Sequence, residues 1–462
     1  MPESIAAAPS PDSRARKLRL IPLLAATYFM VSGGPYDLED IIGYGGYKWA
    51  LILLTLLPFF WSFPTAMMLG ELASAIPEDG GFYAWVRRAM GEFWGFQEAW
   101  LSLAASAFDM AIYPTTFVLY LERVAPVMTE GHRGLALKLC VVAAAVIWNL
   151  RGAAAVGEGS VKLWAISISP YLVLIAIAIY IGLTHPVSGH HAAMARPVDK
   201  TFSTAILVAM WNYMGWDNAT TIANEVENPQ RNYPRVMLLA AFMVMLTYLI
   251  PIAAVAWAGL PSTEFSTGAW ADAGRVLGGS ALAFTIVIAG VIDDFGTFSN
   301  LTLSYTRLPH AMACDGLLPA VFTKRLKNGA PWVSILACAF CWSLAFSFTF
   351  EGLITIDLGL YSLSIVLEFI ALILLRRREP NMPRPFRIPG PDWVPILLAA
   401  SPTILTGYAL YIARNEKLTG IPGLEGMPAS IFTAGLVVLG IPLYLLARAR
   451  KRRHGTLPAA QV

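Results

Sequence analysis

Long apolar runs, each near the length of a bilayer-crossing helix, recur along the whole chain and are separated by short polar segments. Runs of about 18 or more largely apolar residues fall near 18–44, 49–75, 93–125, 134–150, 157–183, 202–225, 236–259, 276–306, 331–349, 352–375, 393–413 and 428–447, which predicts twelve spans in an all-α integral membrane protein. Two spans are interrupted at their centres, one by Ser32-Gly33-Gly34-Pro35-Tyr36-Asp37 and the other by Trp211-Asn212-Tyr213-Met214-Gly215-Trp216-Asp217-Asn218. In lipid no water satisfies freed backbone N–H and C=O groups, so unwound chain is tolerated only where protein buries it or it lines a cavity. Ser32 to Pro35 taken alone reads as a simple kink. Paired with the second interruption, it reads as a binding site of a transporter with discontinuous helices 1 and 6.

The breaks fall in spans 1 and 6, the positions expected if spans 1–5 and 6–10 are two structural repeats of opposite topology. The organisation that follows is a cytoplasmic N-terminal tail at 1–17 and a transporter core at 18–375 built from repeats 18–183 and 202–375. A basic cytoplasmic loop at 376–392, spans 11 and 12 within 393–447, and a basic tail at 448–462 complete it. The start, Arg14-Ala15-Arg16-Lys17-Leu18-Arg19 before an apolar run, resembles a secretory signal, yet no small-residue cleavage site precedes Pro35, so it is read as a retained first span.

Composition excludes a pair of ordinary soluble domains: of 462 residues 56% are hydrophobic and 14% charged, with a mean hydropathy of +0.59. Placing the N-terminus in the cytoplasm puts most Lys and Arg on the inside, including Arg87, Arg88, Arg307, Lys324, Arg325, Arg376 to Arg378 and Arg450-Lys451-Arg452-Arg453. Both termini are then cytoplasmic, in the plasma (inner) membrane. The net charge of +3 reports this topology, and no nucleic-acid partner is indicated.

Almost no Lys or Arg is left at membrane depth, whereas carboxylates do occur there. Asp109, Asp217, Asp293, Asp294 and Glu368 fall within spans, and Glu39, Asp40, Glu71, Glu98 and Glu225 lie near their ends or the first break. Each such group costs ~2.5–3.5 kcal/mol on insertion scales and persists mostly where it faces a cavity or a partner. With no basic partner in the spans, the positive charge has to come from a proton, a metal cation or the transported molecule.

Other signals exclude more than they suggest. His185, His190 and His191 cluster in one loop without Cys or carboxylates at ligand spacing, so no metal site is expected. Cys140, Cys314, Cys338 and Cys341 lie in spans or on the inside, where no disulfide is expected. No Walker-type loop supports ATP drive, no filter-like segment supports a channel, and no catalytic cluster lies at depth. No cofactor is implied, and the oligomeric state stays open.

The matching stretches Val31-Ser32-Gly33-Gly34-Pro35 with Glu39-Asp40, Gly70-Glu71-Leu72-Ala73, Asp109 to Pro114, Asn149-Leu150-Arg151-Gly152, Trp216-Asp217 with Glu225-Val226-Glu227-Asn228-Pro229, and Arg384-Pro385-Phe386-Arg387 span nearly the whole chain. They resemble the amino acid, polyamine and organocation (APC) transporter superfamily, and within it the proton-coupled polyamine uptake branch. The resemblance implies a LeuT-type 5+5 inverted repeat plus two extra helices, with a site between spans 1, 3, 6 and 8. On that footing Ser32, Gly33, Gly34 and Tyr36 shape the site, while Glu39, Asp109 and Asp217 hold amines. Tyr113, Trp211, Tyr213 and Trp216 offer cation–π faces. Amides of the half-helix near Tyr36 would suit a substrate carboxylate.

Two departures matter. Where many amino-acid members carry a span 5 lysine that stands in for sodium, this chain has Ser167, as the polyamine-like branch also lacks the lysine. Span 8 carries Asp293-Asp294 where relatives have small polar residues; adjacent residues point ~100° apart on a helix, so one of the two is expected to face the site and bind H+ or Na+. Asp37, three residues before Asp40 on one helical face, either joins the substrate site or caps the half-helix that follows it, and capping is the expected role. The expected activity is import of a polyamine or amino acid with H+ by alternating access. The alternative is a permease or exchanger for neutral or cationic amino acids coupled to Na+.

Overall fold

The computed structural model describes residues 17–184, 202–418 and 423–454. His185, His190 and His191 lie outside these residues. The first half of the fold comprises α1 (Leu20–Val31), α2 (Glu39–Leu57), α3 (Phe63–Ala75), α4 (Phe82–Met90), α5 (Glu92–Glu122), α6 (His132–Asn149) and α7 (Ala153–Thr184). The second half comprises α8 (Phe202–Trp211), α9 (Pro229–Trp257), α10 (Trp270–Tyr305), α11 (Arg307–Cys314), α12 (Trp332–Ser343), α13 (Phe350–Arg378), α14 (Val394–Ala413) and α15 (Ala429–His454). Among the described residues nine helical runs are long and apolar enough to cross a bilayer, and Leu20–Val31, Phe202–Trp211 and Trp332–Ser347 are shorter apolar helices. Extended pairing among them is confined to the isolated bridges Leu18–Val226 and Lys417–Pro428.

The departures from the expected boundaries have local causes. The gap between the first two spans is a kink at Gly46, whose φ of +71° splits α2 into two helices. The α9 helix begins at Pro229, ahead of the expected 236, because proline at a first helical position forfeits no hydrogen bond. The short amphipathic α4 was not expected. The sixth span does not resume as an α-helix after its break. Asp217–Glu225 is a 3-10 run with Ile222 off-helix, and there the Thr220 and Thr221 hydroxyls donate to the Asp217 and Asn218 carbonyls.

The polarity of the bundle is inverted relative to a water-soluble protein. Large apolar side chains such as Leu172, Leu183, Phe340 and Leu446 project from its outer surface, while Asp109, Asp217, Asp293, Asn300, Thr302 and Glu368 are buried inside. This is the arrangement a lipid solvent selects, since the outer face meets hydrocarbon and polar groups need partners within. In the interior α10 packs on α7 and α5, α13 on α5, and α1 on α7 and α9. The four cysteines are unpaired.

Candidate functional site

The two broken helices meet. The α1 helix ends at Val31, Ser32 is extended, and the Ser32 hydroxyl accepts the Gly34 N–H at 3.0 Å. Gly34 (φ +67°) and Asp37 (φ +61°) then turn through the left-handed region, which an L-residue such as Asp37 seldom enters. On the second break Gly215 has φ +85°, and a Cβ there would collide with the Met30 carbonyl oxygen. Glycine is what lets the segments touch. Asn212 Nδ2 donates to the Asp37 carbonyl at 3.2 Å, and the Gly215 N–H donates to the Tyr361 hydroxyl at 2.9 Å, which in turn donates to Asp217 Oδ1 at 2.7 Å.

Between the breaks lies a small, tight cavity, lined by Val31 and Gly33 from the first and by Trp211, Asn212 and Gly215 from the second. Asp109 and Tyr113 of α5, Thr297 and Tyr305 of α10, and Tyr361 of α13 complete the wall. Tyr113 and Trp211 are stacked with centroids 6.1 Å apart. Asp109 accepts hydroxyls from Tyr113 at 2.8 Å and Tyr305 at 3.2 Å.

The buried acids fall into two groups. Asp109 lines the cavity, and Asp217 stands just behind its wall, joined to it by the Tyr361 hydroxyl. Behind the first break are Asp37, Glu39, Asp40, Asp293 and Asp294, and Gly33 is the thin wall between the groups: a Cβ on it would stand 3.1 Å from Asp293 Oδ2 and 3.8 Å from Asp37 Oδ2. Asp294 turns instead to α5 and accepts the Thr116 hydroxyl at 2.6 Å. The Ser167 side chain faces Asp293. Glu39 accepts the Tyr120 hydroxyl and the Gly268 N–H, and Asp40 accepts the Thr267 hydroxyl at 2.7 Å. Among the described residues none of these acids is ion-paired with Lys, Arg or His. One oxygen each of Asp37, Glu39, Asp293 and Asp294 has no protein hydrogen-bond partner.

Several expected roles are not met by this geometry. Tyr36 is turned away from the cavity, its hydroxyl shared between the Ser167 and Ile286 carbonyls and its ring held edge-on by Tyr120 and Tyr171. Tyr213 donates to the Leu54 carbonyl and packs on Tyr248, and Trp216 donates back to the Tyr213 carbonyl, so neither ring lines the cavity. Glu39 sits with the second group. Asp37 caps nothing: α2 has Leu38 at its N-cap position and no side-chain cap bond.

Sequence reasoning also missed residues. Tyr305 and Tyr361 carry the hydroxyls that hold Asp109 and Asp217, and Asp357 is a further buried acid on α13. The rule that singled out Asp109, an acid inside an apolar run, applies equally to Asp357 within 352–375. The tyrosines carry no comparable signal, because an aromatic in a span usually packs.

The amino acid permease family model matches residues 22–439. The chain belongs to the amino acid permease family. It is 32% identical to polyamine transporter RMV1 of Arabidopsis thaliana over 85% of this chain and 80% of that protein. Similarity to polyamine transporter PUT1 of Oryza sativa subsp. japonica is 29% identity over 96% of this chain and 80% of that one. A probable polyamine transporter of Arabidopsis thaliana is 32% identical over 93% of the chain and 86% of its own length. The permease is a multi-pass membrane transport protein, not an enzyme.

The permease's broken helices are tied to their neighbours on both sides of the cavity. On the face bearing most of the arginines, Leu18 bridges to Val226, with Leu18 N–H to Glu225 O and Glu227 N–H to Leu18 O both at 2.8 Å. There Arg307 binds Glu225 at 2.8 Å and Arg325 binds Asp79 at 3.2 Å. The Glu225-to-Pro229 block is thus a structural junction: Asn228 (φ +47°) makes the turn and Pro229 starts α9. Buried Glu71 is held by Arg376 and, at 3.2 Å, by Arg384, which explains the Arg-Pro-Phe-Arg block. Outside the spans, the two-point contact of Arg88 with Glu379 (2.9 and 2.6 Å) keeps that carboxyl below the usual carboxylate range. On the opposite face Trp270 Nε1 donates to the Pro35 carbonyl at 2.7 Å, closing the loop before α10 over the first break.

Proposed function

We propose that this permease is a secondary active carrier that imports polyamines with a proton, alternating access around the cavity between its broken helices. In this reading it has twelve spans, ten in a LeuT-type 5+5 inverted repeat and two added, and lies in the plasma (inner) membrane with both termini cytoplasmic. The arginine-bearing face is then the cytoplasmic one.

One observation carries the reading: Asp109 lines an aromatic-walled cavity and Asp217 lies behind its Tyr361, and neither has a basic partner. Ammonium groups supply the missing charge, Tyr113 and Trp211 offer faces for cation–π contact, and the apolar walls suit methylene segments. The names of the relatives RMV1 and PUT1 support the substrate class. The N-terminus of α2, where a substrate carboxylate would be expected to dock, is crowded by the chain's own Asp37, Glu39, Asp293 and Asp294, which disfavours an anion there.

Asp293 and Asp294, with Ser167 beside them, take the coupling cation. A proton suits two adjacent carboxyls in low dielectric, because it removes charge without needing a coordination shell. In the cycle an amine neutralises the cavity acids while a proton neutralises the second group, and the loaded core reorients. A second reading, an amino-acid permease or exchanger coupled to Na+, draws support from the description of the family model.

The test is uptake of labelled putrescine, spermidine and a panel of amino acids into proteoliposomes, with an imposed pH gradient and with or without Na+. Gradient-driven, saturable accumulation of a polyamine is expected. Accumulation of amino acids alone selects the second reading.

A further inference from the structure

One turn before Tyr361 of the cavity wall, α13 carries a buried carboxylate to which no protein group donates. Asp357 and Tyr361 are four residues apart, hence on one face of that helix, and Tyr361 lines the cavity. The same spacing occurs on α5, where Tyr113 lines the cavity and donates to Asp109 one turn earlier. On α5 the Asp–Tyr pair is closed on itself. On α13 the Tyr361 hydroxyl is drawn across to Asp217 and Gly215, so Asp357 is left without its neighbour. Neither of its carboxylate oxygens has a protein hydrogen-bond partner, and the residue is 1% exposed. Its charge bears on Asp109 and Asp217 and on the Tyr113 and Tyr305 hydroxyls, all at or beside the cavity.

We infer that Asp357 is a third ammonium subsite, and that the permease takes a linear triamine in preference to a diamine. The inference rests on the polyamine reading above. Asp109 and Asp217 are each already engaged by tyrosine hydroxyls, which leaves them able to bind an amine through their remaining lone pairs. Asp357 has all its acceptor capacity unused. A diamine neutralises two of three neighbouring carboxylates and strands the third in a dry site, the arrangement that buried charges avoid. A triamine supplies the third positive charge.

The experiment measures half-saturation for uptake of putrescine, spermidine and the two monoacetyl derivatives of spermidine, in which a neutral amide replaces one terminal ammonium. Full-length permease and its Asp357→Asn variant are compared in proteoliposomes under a pH gradient. In the parent, spermidine is expected to saturate at about tenfold lower concentration than at least one acetyl derivative, the scale of one hydrogen-bonded charge pair. In Asp357→Asn that difference is expected to shrink to about twofold or less, with half-saturation for putrescine unchanged or lowered, because the variant removes the charge a diamine leaves unpaired.

Equal half-saturation for spermidine and both derivatives in the parent overturns the inference without recourse to any variant, so a variant that fails to fold gives it no shelter. A spermidine advantage that persists in Asp357→Asn overturns it too. A uniform loss for every substrate assigns Asp357 to positioning the wall and likewise removes the subsite. If the parent accumulates amino acids and no polyamine, the polyamine reading falls and this inference with it. Putrescine uptake without a triamine preference leaves that reading intact and removes the inference alone.

Discussion

Tyr361→Phe removes a single oxygen atom from the cavity wall, and its consequences follow from the partners of that atom. The hydroxyl donates to Asp217 Oδ1 at 2.7 Å and accepts the Gly215 N–H at 2.9 Å, with all three residues buried. Losing a hydrogen bond to a carboxyl group costs ~1.5–3 kcal/mol, and an orphaned buried N–H adds ~1–3 kcal/mol. Relaxation recovers part of this, so the expected loss is about 3 kcal/mol. Tyr113→Phe is the control. It takes one hydroxyl from Asp109, which keeps that of Tyr305 at 3.2 Å, and strands no backbone group; its expected cost is about 1–1.5 kcal/mol. The assay is unfolding of the purified permease in detergent, with amine half-saturation measured beside it. The double variant with Asp217→Asn separates the two partners of the hydroxyl, because part of the Tyr361→Phe cost depends on Asp217 and the Gly215 part does not. Equal stability of Tyr361→Phe and Tyr113→Phe would refute the reasoning, as would full additivity with Asp217→Asn.

Gly215→Ala places a methyl group against the Met30 carbonyl at a φ of +85°; the backbone conformation alone costs ~1–2 kcal/mol, and because the obstacle is main chain, transport is expected to be lost, whereas parental uptake in vesicles would mean the breaks can separate freely. Glu71→Gln leaves Arg376 and Arg384 without their shared carboxylate and is expected to lower stability by about 3–5 kcal/mol, as breaking a buried ion pair does; a parental unfolding midpoint would show the lock to be dispensable.

What was legible in the sequence followed from rules with a single dominant cause. Apolar runs locate helices because lipid leaves the backbone no other partner, and Gly34, Pro35 and Gly215 mark the breaks because few residues permit them. Asp109 and Asp217 were found because a charge at depth demands a reason. Orientation within a helix was not legible. Tyr36, Tyr213 and Trp216 sit in or beside the breaks, as expected, yet point to α7, the Leu54 carbonyl and the Tyr213 carbonyl, since tertiary hydrogen bonds choose where an aromatic hydroxyl or indole goes. Asp37 was misjudged for the same reason. A helix start with an acid before it suggests a cap, but Asp37, at φ +61°, lies one residue ahead of Leu38 at the N-cap position, and its side chain turns toward Asp293.

That misplacement bears on how substrate and coupling cation would influence each other. Asp37 gives its carbonyl to Asn212 of the second break, while its carboxylate belongs to the group behind the first. Gly33 has the cavity on one side and Asp293 on the other. The short segment from Ser32 to Leu38 therefore feels both sites at once. On the proposed reading, neutralising Asp293 would relieve its repulsion with Asp37 and let the segment settle on the second break, where Gly33 forms part of the cavity wall. An amine bound at Asp109 and Asp217 would stabilise that same wall from the other side. Each ligand would then favour the backbone arrangement the other needs, and reciprocity would require the two effects to be equal, on the order of 1–3 kcal/mol for such linked sites. Coupling of this kind needs no relay between distant residues, because one strained loop is a part of both sites.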